Sequence, residues 1–381
     1  MKKRPIKIAI LGTGFMGRVH LEAIRRLGYV EATTIVASSQ DKAQQFADEW
    51  GMPNATADYH AVLSDPQIQV VHVCAPNELH FRMVTDSLKA GKHVVCEKPL
   101  ANTVEEGETL VRHAAATGLA NCCFFNVRSY PHVRHMRSLV QQGKLGELWA
   151  LQGTYSQDWL FHDTDWNWRI ESGASRSFAD IGSHWCDLAE FITGRRIASV
   201  CADLHTVHTT RKKPKGSIET FAGKTQKVQD YTEVPIKSED FASLIFRMDN
   251  GAHGAMTVSQ ISAGRKNRVF IELFGSKCGM AWNAEQPDQL WIGERDEPNR
   301  IVVKDPAMME PGIREFADQP GGHSEGFDDT FKQTARQFYK TVQDRNAEIN
   351  YPTFADGLRQ MKVLDAVLES SRSRAWVDVK A

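Results

Sequence analysis

The chain has 381 residues and a formal net charge of −1; at roughly 150 residues per domain this length suggests two or three domains. Its basic residues are scattered, so no positive face for nucleic acid is expected, and no apolar run is long enough to span a bilayer. The seven cysteines are odd in number and form no Cys-x-x-Cys pair, which points to free thiols in a reducing cytoplasm; Met1-Lys2-Lys3-Arg4-Pro5 also runs straight into a strand-like segment, without the apolar core of a signal peptide.

Short buried-strand runs alternate with amphipathic helices from the start. Ile6–Leu11 reads as a strand, 16–27 as a helix, 32–37 as a second strand and 42–50 as a second helix. Residues 70–75 and 93–96 are further strands, each after a helical stretch. This alternation predicts parallel strands with crossover helices, a doubly wound sheet, whose ligands bind at the carboxyl ends of the strands.

The first strand ends in Gly12-Thr13-Gly14-Phe15-Met16-Gly17. Gly12 permits the tight turn, Gly14 lets a pyrophosphate approach the backbone, and Gly17 allows the helix to pack closely on the strand. The helix start, with Phe15 and Met16, then offers its N–H groups to the phosphates. At the end of the second strand stands Ala37-Ser38-Ser39-Gln40-Asp41-Lys42. No acid ends the strand to hold a ribose hydroxyl, Asp41 reads as the cap of the next helix, and no arginine marks a 2′-phosphate. Ser38 and Ser39 are left as ribose contacts, and the cofactor is NAD or NADP with a lean to NAD.

Two further segments are Val70-Val71-His72-Val73-Cys74-Ala75-Pro76-Asn77-Glu78-Leu79-His80 and Gly91-Lys92-His93-Val94-Val95-Cys96-Glu97-Lys98-Pro99-Leu100. Together with the glycine fingerprint they resemble the glucose–fructose oxidoreductase and inositol dehydrogenase (Gfo/Idh/MocA) family. The resemblance continues through Asn126 to Pro131 and Asp180 to His184 to a final Asp356-Gly357-Leu358, covering essentially the whole chain. It implies a Rossmann domain over 1–125 and, over 126–381, an α+β domain with an open-faced, mostly antiparallel sheet for substrate binding and oligomerisation. The C-terminal helix would pack back on the first domain. It further implies a homodimer or homotetramer, no metal, and a nicotinamide end closed by the Glu-Lys-Pro segment. Pro76, Asn77, His80, Glu97 and Lys98 are therefore expected at the cofactor. Period-2 patterns at 148–155, 241–248, 252–260 and 269–274 fit the second domain. Asn250-Gly251 reads as a hairpin turn, and 330–342 and 358–370 read as helices.

Oxidising a secondary alcohol requires a group that takes the hydroxyl proton as the hydride leaves. The candidates are Lys98, Asp180 and His184. Asp180 and His184 are four apart and share a face if a helix begins near Asp180; the alternative is a capping Asp and a core His. The resemblance suggests His184 as proton acceptor, Asp180 as its or the substrate's orienter, and Lys98 on the reacting hydroxyl. Histidine suits proton exchange near neutral pH.

The stretch from Gln157 to Arg169 holds three tryptophans, a phenylalanine, several carboxylates and an arginine. Sugar sites combine flat apolar faces with polar groups; the alternative is an aromatic loop pinned to the sheet. Its Gln-Asp-Trp and Trp-Asn-Trp-Arg pieces are similar to a branch with glucose–fructose oxidoreductase-like and levoglucosan dehydrogenase-like members. That similarity sends Trp168 and Arg169 towards the nicotinamide or its ribose, with His162 and Asp165 as substrate contacts. Asn126 joins the substrate list, whereas Arg128 reads equally as an ion-pair partner. Arg211-Lys212-Lys213-Pro214-Lys215 reads as a solvated loop. The expected activity is NAD(P)-dependent oxidation of a sugar, anhydrosugar or cyclitol hydroxyl. An enzyme that retains its nicotinamide and a non-catalytic nucleotide sensor are the alternatives.

Overall fold

A computed structural model describes residues 5–171, 173, 175–216 and 230–381. In chain order the elements begin β1 (Ile6–Leu11), α1 (Phe15–Arg25), β2 (Val30–Val36), α2 (Gln40–Trp50), β3 (Asn54–Thr56), α3 (Tyr59–Ser64), β4 (Val70–Val73), α4 (His80–Lys89), β5 (His93–Cys96), α5 (Val104–Thr117), β6 (Asn121–Cys123) and α6 (Pro131–Gln141). They continue with β7 (Leu148–Ser156), α7 (Ser183–Thr193), β8 (Ile197–His205), β9 (Thr210–Pro214), β10 (Tyr231–Pro235), β11 (Phe241–Met248), β12 (His253–Ser259), β13 (Arg268–Gly275), β14 (Gly279–Asn283), β15 (Gln289–Gly293) and β16 (Arg300–Val303). The chain ends with the short α8 (Pro311–Arg314), α9 (Phe327–Gln343), α10 (Phe354–Ser373) and β17 (Val377–Asp378).

The chain forms two units, Met1–Ser129 with Phe327–Met361, and Tyr130–Gly326 with Lys362–Ala381. The first unit thus includes Phe327–Met361, a stretch assigned by sequence to the second domain. Its sheet runs β3-β2-β1-β4-β5-β6, all parallel. Successive residues of a strand point to opposite faces, and here both faces are buried. Ile8 and Ile10 join Leu21 and Ile24 of α1 and Phe331, Phe338 and Tyr339 of α9 in one core. Ala9 and Leu11 join Val71, Val84, Leu88 and Leu110 in the other. That two-sided burial explains why the strands read as continuous apolar runs rather than alternating ones. The strand order reverses between β1 and β4, so the crevice for a ligand opens at the carboxyl ends of these two strands.

The second unit carries a nine-stranded sheet, β16-β15-β14-β13-β7-β12-β11-β8-β17. Only β7 and β12 pair in parallel. β11 shows the alternation: Ala242, Leu244, Phe246 and Met248 are buried, whereas Ile245 is half exposed. Asn250-Gly251 makes the expected turn into β12, with Gly251 at φ +86° donating its N–H to Met248 O at 3.0 Å. On the covered face α7 packs on β7 and β13 through Trp185, whose indole donates to Phe270 O at 2.8 Å. Gly153 on β7 makes room for it, since a Cβ there would lie 2.6 Å from the Trp185 Nε1.

Candidate active site

In the first unit two of the three fingerprint glycines, Gly12 and Gly17, are required by close approach. Gly12 sits at φ +124°, where a Cβ would lie 2.4 Å from Cys74 O. A Cβ on Gly17 would lie 2.0 Å from Gly12 O, so helix and turn touch backbone to backbone. A Cβ on Gly14 would meet nothing within 4 Å. Gly14 is also the N-cap of α1 and brings no capping side chain. The open face of this turn and the uncapped N-terminal end of an 11-residue helix fit a pyrophosphate.

At the end of β2 the structure corrects one expectation. Ser39, not Asp41, caps α2, its Oγ accepting from Lys42 N at 3.4 Å; Asp41 lies in the first turn. Lys42 Nζ reaches Ser38 Oγ at 3.5 Å. Beyond β4, Pro76 leads into a tight turn at Asn77–Leu79, and His80 opens α4. His80 is buried, with its Nδ1 2.7 Å from Pro99 O and its Nε2 2.9 Å from Ala75 O. It therefore ties the Pro-Asn turn to the Glu-Lys-Pro segment rather than presenting its ring at a surface. Burial lowers its pKa. Glu97 is buried and Lys98 half-buried; Glu97 Oε2 accepts Lys98 N–H at 3.3 Å. Asn126 is also buried, donating to Thr330 Oγ1 of α9 at 2.7 Å. Arg128 pairs with Asp356 at 2.9 Å, so of its two readings the ion pair is the one present.

In the second unit Asp180 and His184 straddle the start of α7. Residues Phe178–Gly182 form a wide π-helical turn that runs into the helix, where the spacing alone had suggested a regular helix. Such turns recur at functional sites because they re-aim side chains. The wide turn has a cause. Glu239 accepts from the N–H groups of Arg176 and Phe178 and from the hydroxyls of Ser175 and Ser177, gathering the strand of backbone that enters it. Asp180 Oδ2 accepts from Gln260 Nε2 at 2.9 Å, and its Oδ1 lies 3.3 Å from Arg169 Nε. His184 is buried, its ring edge-on to Tyr155 at 6.4 Å between centroids. Burial drives the Tyr155 hydroxyl pKa far up, so Tyr155 is a neutral donor, and it donates to Asn267 Oδ1 at 2.8 Å. Gln157 donates to the same oxygen at 2.9 Å.

The aromatic stretch divides. Trp159 and Trp166 pack with Leu160, Ile170 and Ile236 in a small core, which is the structural role. Trp168 is more than a third exposed and carries the Arg169 guanidinium over its ring at 4.6 Å. His162 N–H donates to Asp165 Oδ2 at 2.7 Å, so Asp165 closes a local turn.

The basic run is not a solvated loop: its first four residues lie in β9, paired with β10. Arg211 is wholly buried, donating to Leu160 O at 3.0 Å and His162 O at 2.8 Å and pairing with Asp240 at 2.6 Å. Arg176 pairs with the same Asp240 oxygen. One buried carboxylate thus fixes both the aromatic stretch and the backbone leading to Asp180. Burial would raise the Asp240 carboxyl, but Arg176, the His208 N–H and Arg211 outweigh it and hold it below the ordinary range. Gln260, Tyr155 and Asn267 escaped the sequence reading. Each is a polar residue at or just beyond a strand end, a weak signal in a single sequence.

Residues 6–125 match the family model described as "Oxidoreductase family, NAD-binding Rossmann fold", and residues 133–281 match that of the GFO/IDH/MocA C-terminal domain. The chain is 27% identical over 391 residues to levoglucosan dehydrogenase of Pseudarthrobacter phenanthrenivorans, covering 98% of each. It is 26% identical over 273 residues to a myo-inositol 2-dehydrogenase of Thermotoga maritima, covering 71% of this chain and 73% of the other. A solved levoglucosan dehydrogenase in complex with NADH and L-sorbose superposes with a TM-score of 0.89 at 27% identity, covering 99% of this chain and all of that one.

Proposed function

The chain belongs to the Gfo/Idh/MocA family of NAD-binding oxidoreductases, and from that premise we propose that it oxidises a secondary hydroxyl of a sugar, anhydrosugar or cyclitol with NAD as hydride acceptor. The observation that carries this reading is the seating of Asp180 between Arg169 and Gln260, on the turn that leads into the His184 helix.

NAD, when bound, supplies the carbon that takes the hydride. Gly12, Gly14, Phe15, Met16 and Gly17 would hold its pyrophosphate, and Ser38 its ribose. Pro76, Asn77, Glu97 and Lys98 would line the nicotinamide half, with His80 acting through the turns it ties together. Lys98 holds the reacting oxygen. His184 accepts the hydroxyl proton, and Asp180 orients the imidazole or a neighbouring substrate hydroxyl. Arg169 fixes Asp180, and Trp168 offers an exposed flat face to the C–H surface of the substrate. His162 and Asp165 are further substrate contacts through the loop they shape, and Asn126 supports the segment after β6.

A homodimer or homotetramer in the cytoplasm completes the proposal, and sedimentation of the purified protein reads its oligomeric state. No helix of the described residues is long and apolar enough to cross a membrane.

The test is absorbance at the reduced-nicotinamide band after mixing protein, NAD or NADP, and a panel of levoglucosan, hexoses and inositols. Reduction with at least one polyol and a faster rate with NAD are expected. Nucleotide binding without reduction of either cofactor by any of these polyols would count against the proposal.

A further inference from the structure

Four buried side chains of the first unit form one hydrogen-bonded file, of which the reaction above uses only Glu97. Glu97 Oε1 lies 2.9 Å from His20 Nε2, His20 Nδ1 lies 2.8 Å from His72 Nδ1, and His72 Nε2 lies 2.6 Å from the Tyr339 hydroxyl. They come from the turn after β5, from α1, from β4 and from α9. His72 and Tyr339 are wholly buried, His20 and Glu97 nearly so. Phe124 and Phe331 pack on the His20 ring, 4.4 and 5.6 Å away by centroid, so the file lies among apolar groups.

Each nitrogen–nitrogen or nitrogen–oxygen contact can hold only one proton. Burial, and secondarily His20, push the His72 pKa well below its ordinary value, so His72 carries a single N–H. With Glu97 ionised, two proton arrangements then satisfy every contact. In the first, Tyr339 O–H donates to His72 Nε2, His72 Nδ1–H donates to His20 Nδ1, and His20 Nε2–H donates to ionised Glu97. Both rings are neutral and the file bears a charge of −1. In the second, the Tyr339 oxygen has taken up one proton while its own passed to His72 Nε2, and the His72 Nδ1 proton passed to His20. His20 is then an imidazolium facing Glu97, and the file is neutral. One proton enters, none leaves, and no heavy-atom bond changes. Water supplies it.

The other titratable groups facing Glu97 do not provide this counter-charge. The thiols of Cys74, Cys96 and Cys122 are raised by burial and then by Glu97 itself, and His80 is lowered by burial. Lys98, next in the chain, is already assigned to the reacting oxygen.

The place of Glu97 gives the charge a target. With the pyrophosphate on the turn after β1 and the adenosine ribose at the end of β2, the nicotinamide half would lie over β4 and β5. Glu97 directly follows β5, and its second oxygen holds the Lys98 N–H. An oxidised nicotinamide is a cation, and a reduced one is neutral. We propose that Glu97, His20, His72 and Tyr339 are a charge-matching relay, which favours the oxidised nicotinamide while the file is anionic and accommodates the reduced one by taking a proton onto His20. The inference rests on the NAD-binding reading above. His20, His72 and Tyr339 are positioning residues in it, acting through Glu97.

Calorimetric titration of the full chain with NAD+ and with NADH tests it without recourse to turnover. Glu97→Gln removes the charge and should weaken NAD+ relative to NADH by about tenfold. His20→Leu should do the same, because a buried carboxylate stripped of its donor takes up a proton. His20→Gln, which still donates to Glu97 but cannot take up a proton, should keep the affinity for NAD+ and weaken NADH. An unchanged ratio in both Glu97→Gln and His20→Leu overturns the proposal. Nitrogen-15 spectra of histidine-labelled wild type decide it even if a variant fails to fold. One N–H on His20 with NAD+ bound and two with NADH bound are expected; the same count in both overturns the relay. If wild type binds neither nucleotide, the NAD-binding reading fails first, and the relay with it.

Discussion

The proposed chemistry rests on two side chains, His184 and Asp180. A general base must be close, correctly oriented and held so that only the proton moves. In the proposed reaction His184 is that base and Asp180 its orienter, itself held by Arg169 on one oxygen and Gln260 on the other. Replacing His184 with Ala should leave NAD affinity within a few-fold of wild type and lower kcat by about a hundredfold or more, measured by nucleotide titration alongside turnover. Unchanged turnover would remove His184 from the reaction. The sequence showed the Asp-x-Gly-x-His pattern, and with it this pair. It did not show Gln260, which follows β12 at a position where a lone polar residue carries no distinctive spacing. It did not show the Arg169–Asp180 ion pair either, because a partner eleven positions along has no periodic signature outside a regular helix.

At the scale of elements, the strands and helices with strong periodicity were legible. Residues 241–248 were expected as a strand and form β11, and the Asn250-Gly251 turn into β12 follows from the positive φ that such a turn needs. Elements whose order depends on distant partners were not. β9 reads as solvated because it carries three basic residues in five, yet Arg211 folds inward to Asp240, some thirty positions away in the chain. That hub is where the loop and the π-helical turn are most exposed to damage. Asp240→Asn leaves Arg176 and Arg211 as buried cations without their counter-charge, which should cost about 3 kcal/mol or more. Urea unfolding should show it as a lower midpoint, with Trp168 and the turn before His184 displaced together. A loss under ~0.5 kcal/mol would mean that the hub is not what holds these segments.

For the molecule as a whole, the alternation of strand and helix in the first third was enough to foresee a parallel, doubly wound sheet, because burial on both faces leaves an uninterrupted apolar signature in each strand. Of Phe327–Met361, which belongs to the first unit, only the C-terminal helix was expected there and α9 was not. Its packing rests on Phe331, Phe338 and Tyr339 against α1, and an amphipathic helix does not state which core its apolar face will join. The proposed reaction moves a hydride from a polyol carbon to NAD while His184 takes the hydroxyl proton. The measurement that tests it most directly uses a polyol substrate deuterated at its hydroxyl-bearing carbons, with isotope content read in the reduced cofactor by mass spectrometry. One deuterium per reduced nicotinamide and a slower rate with the labelled polyol are expected. Reduced cofactor that carries no deuterium would contradict direct transfer from carbon.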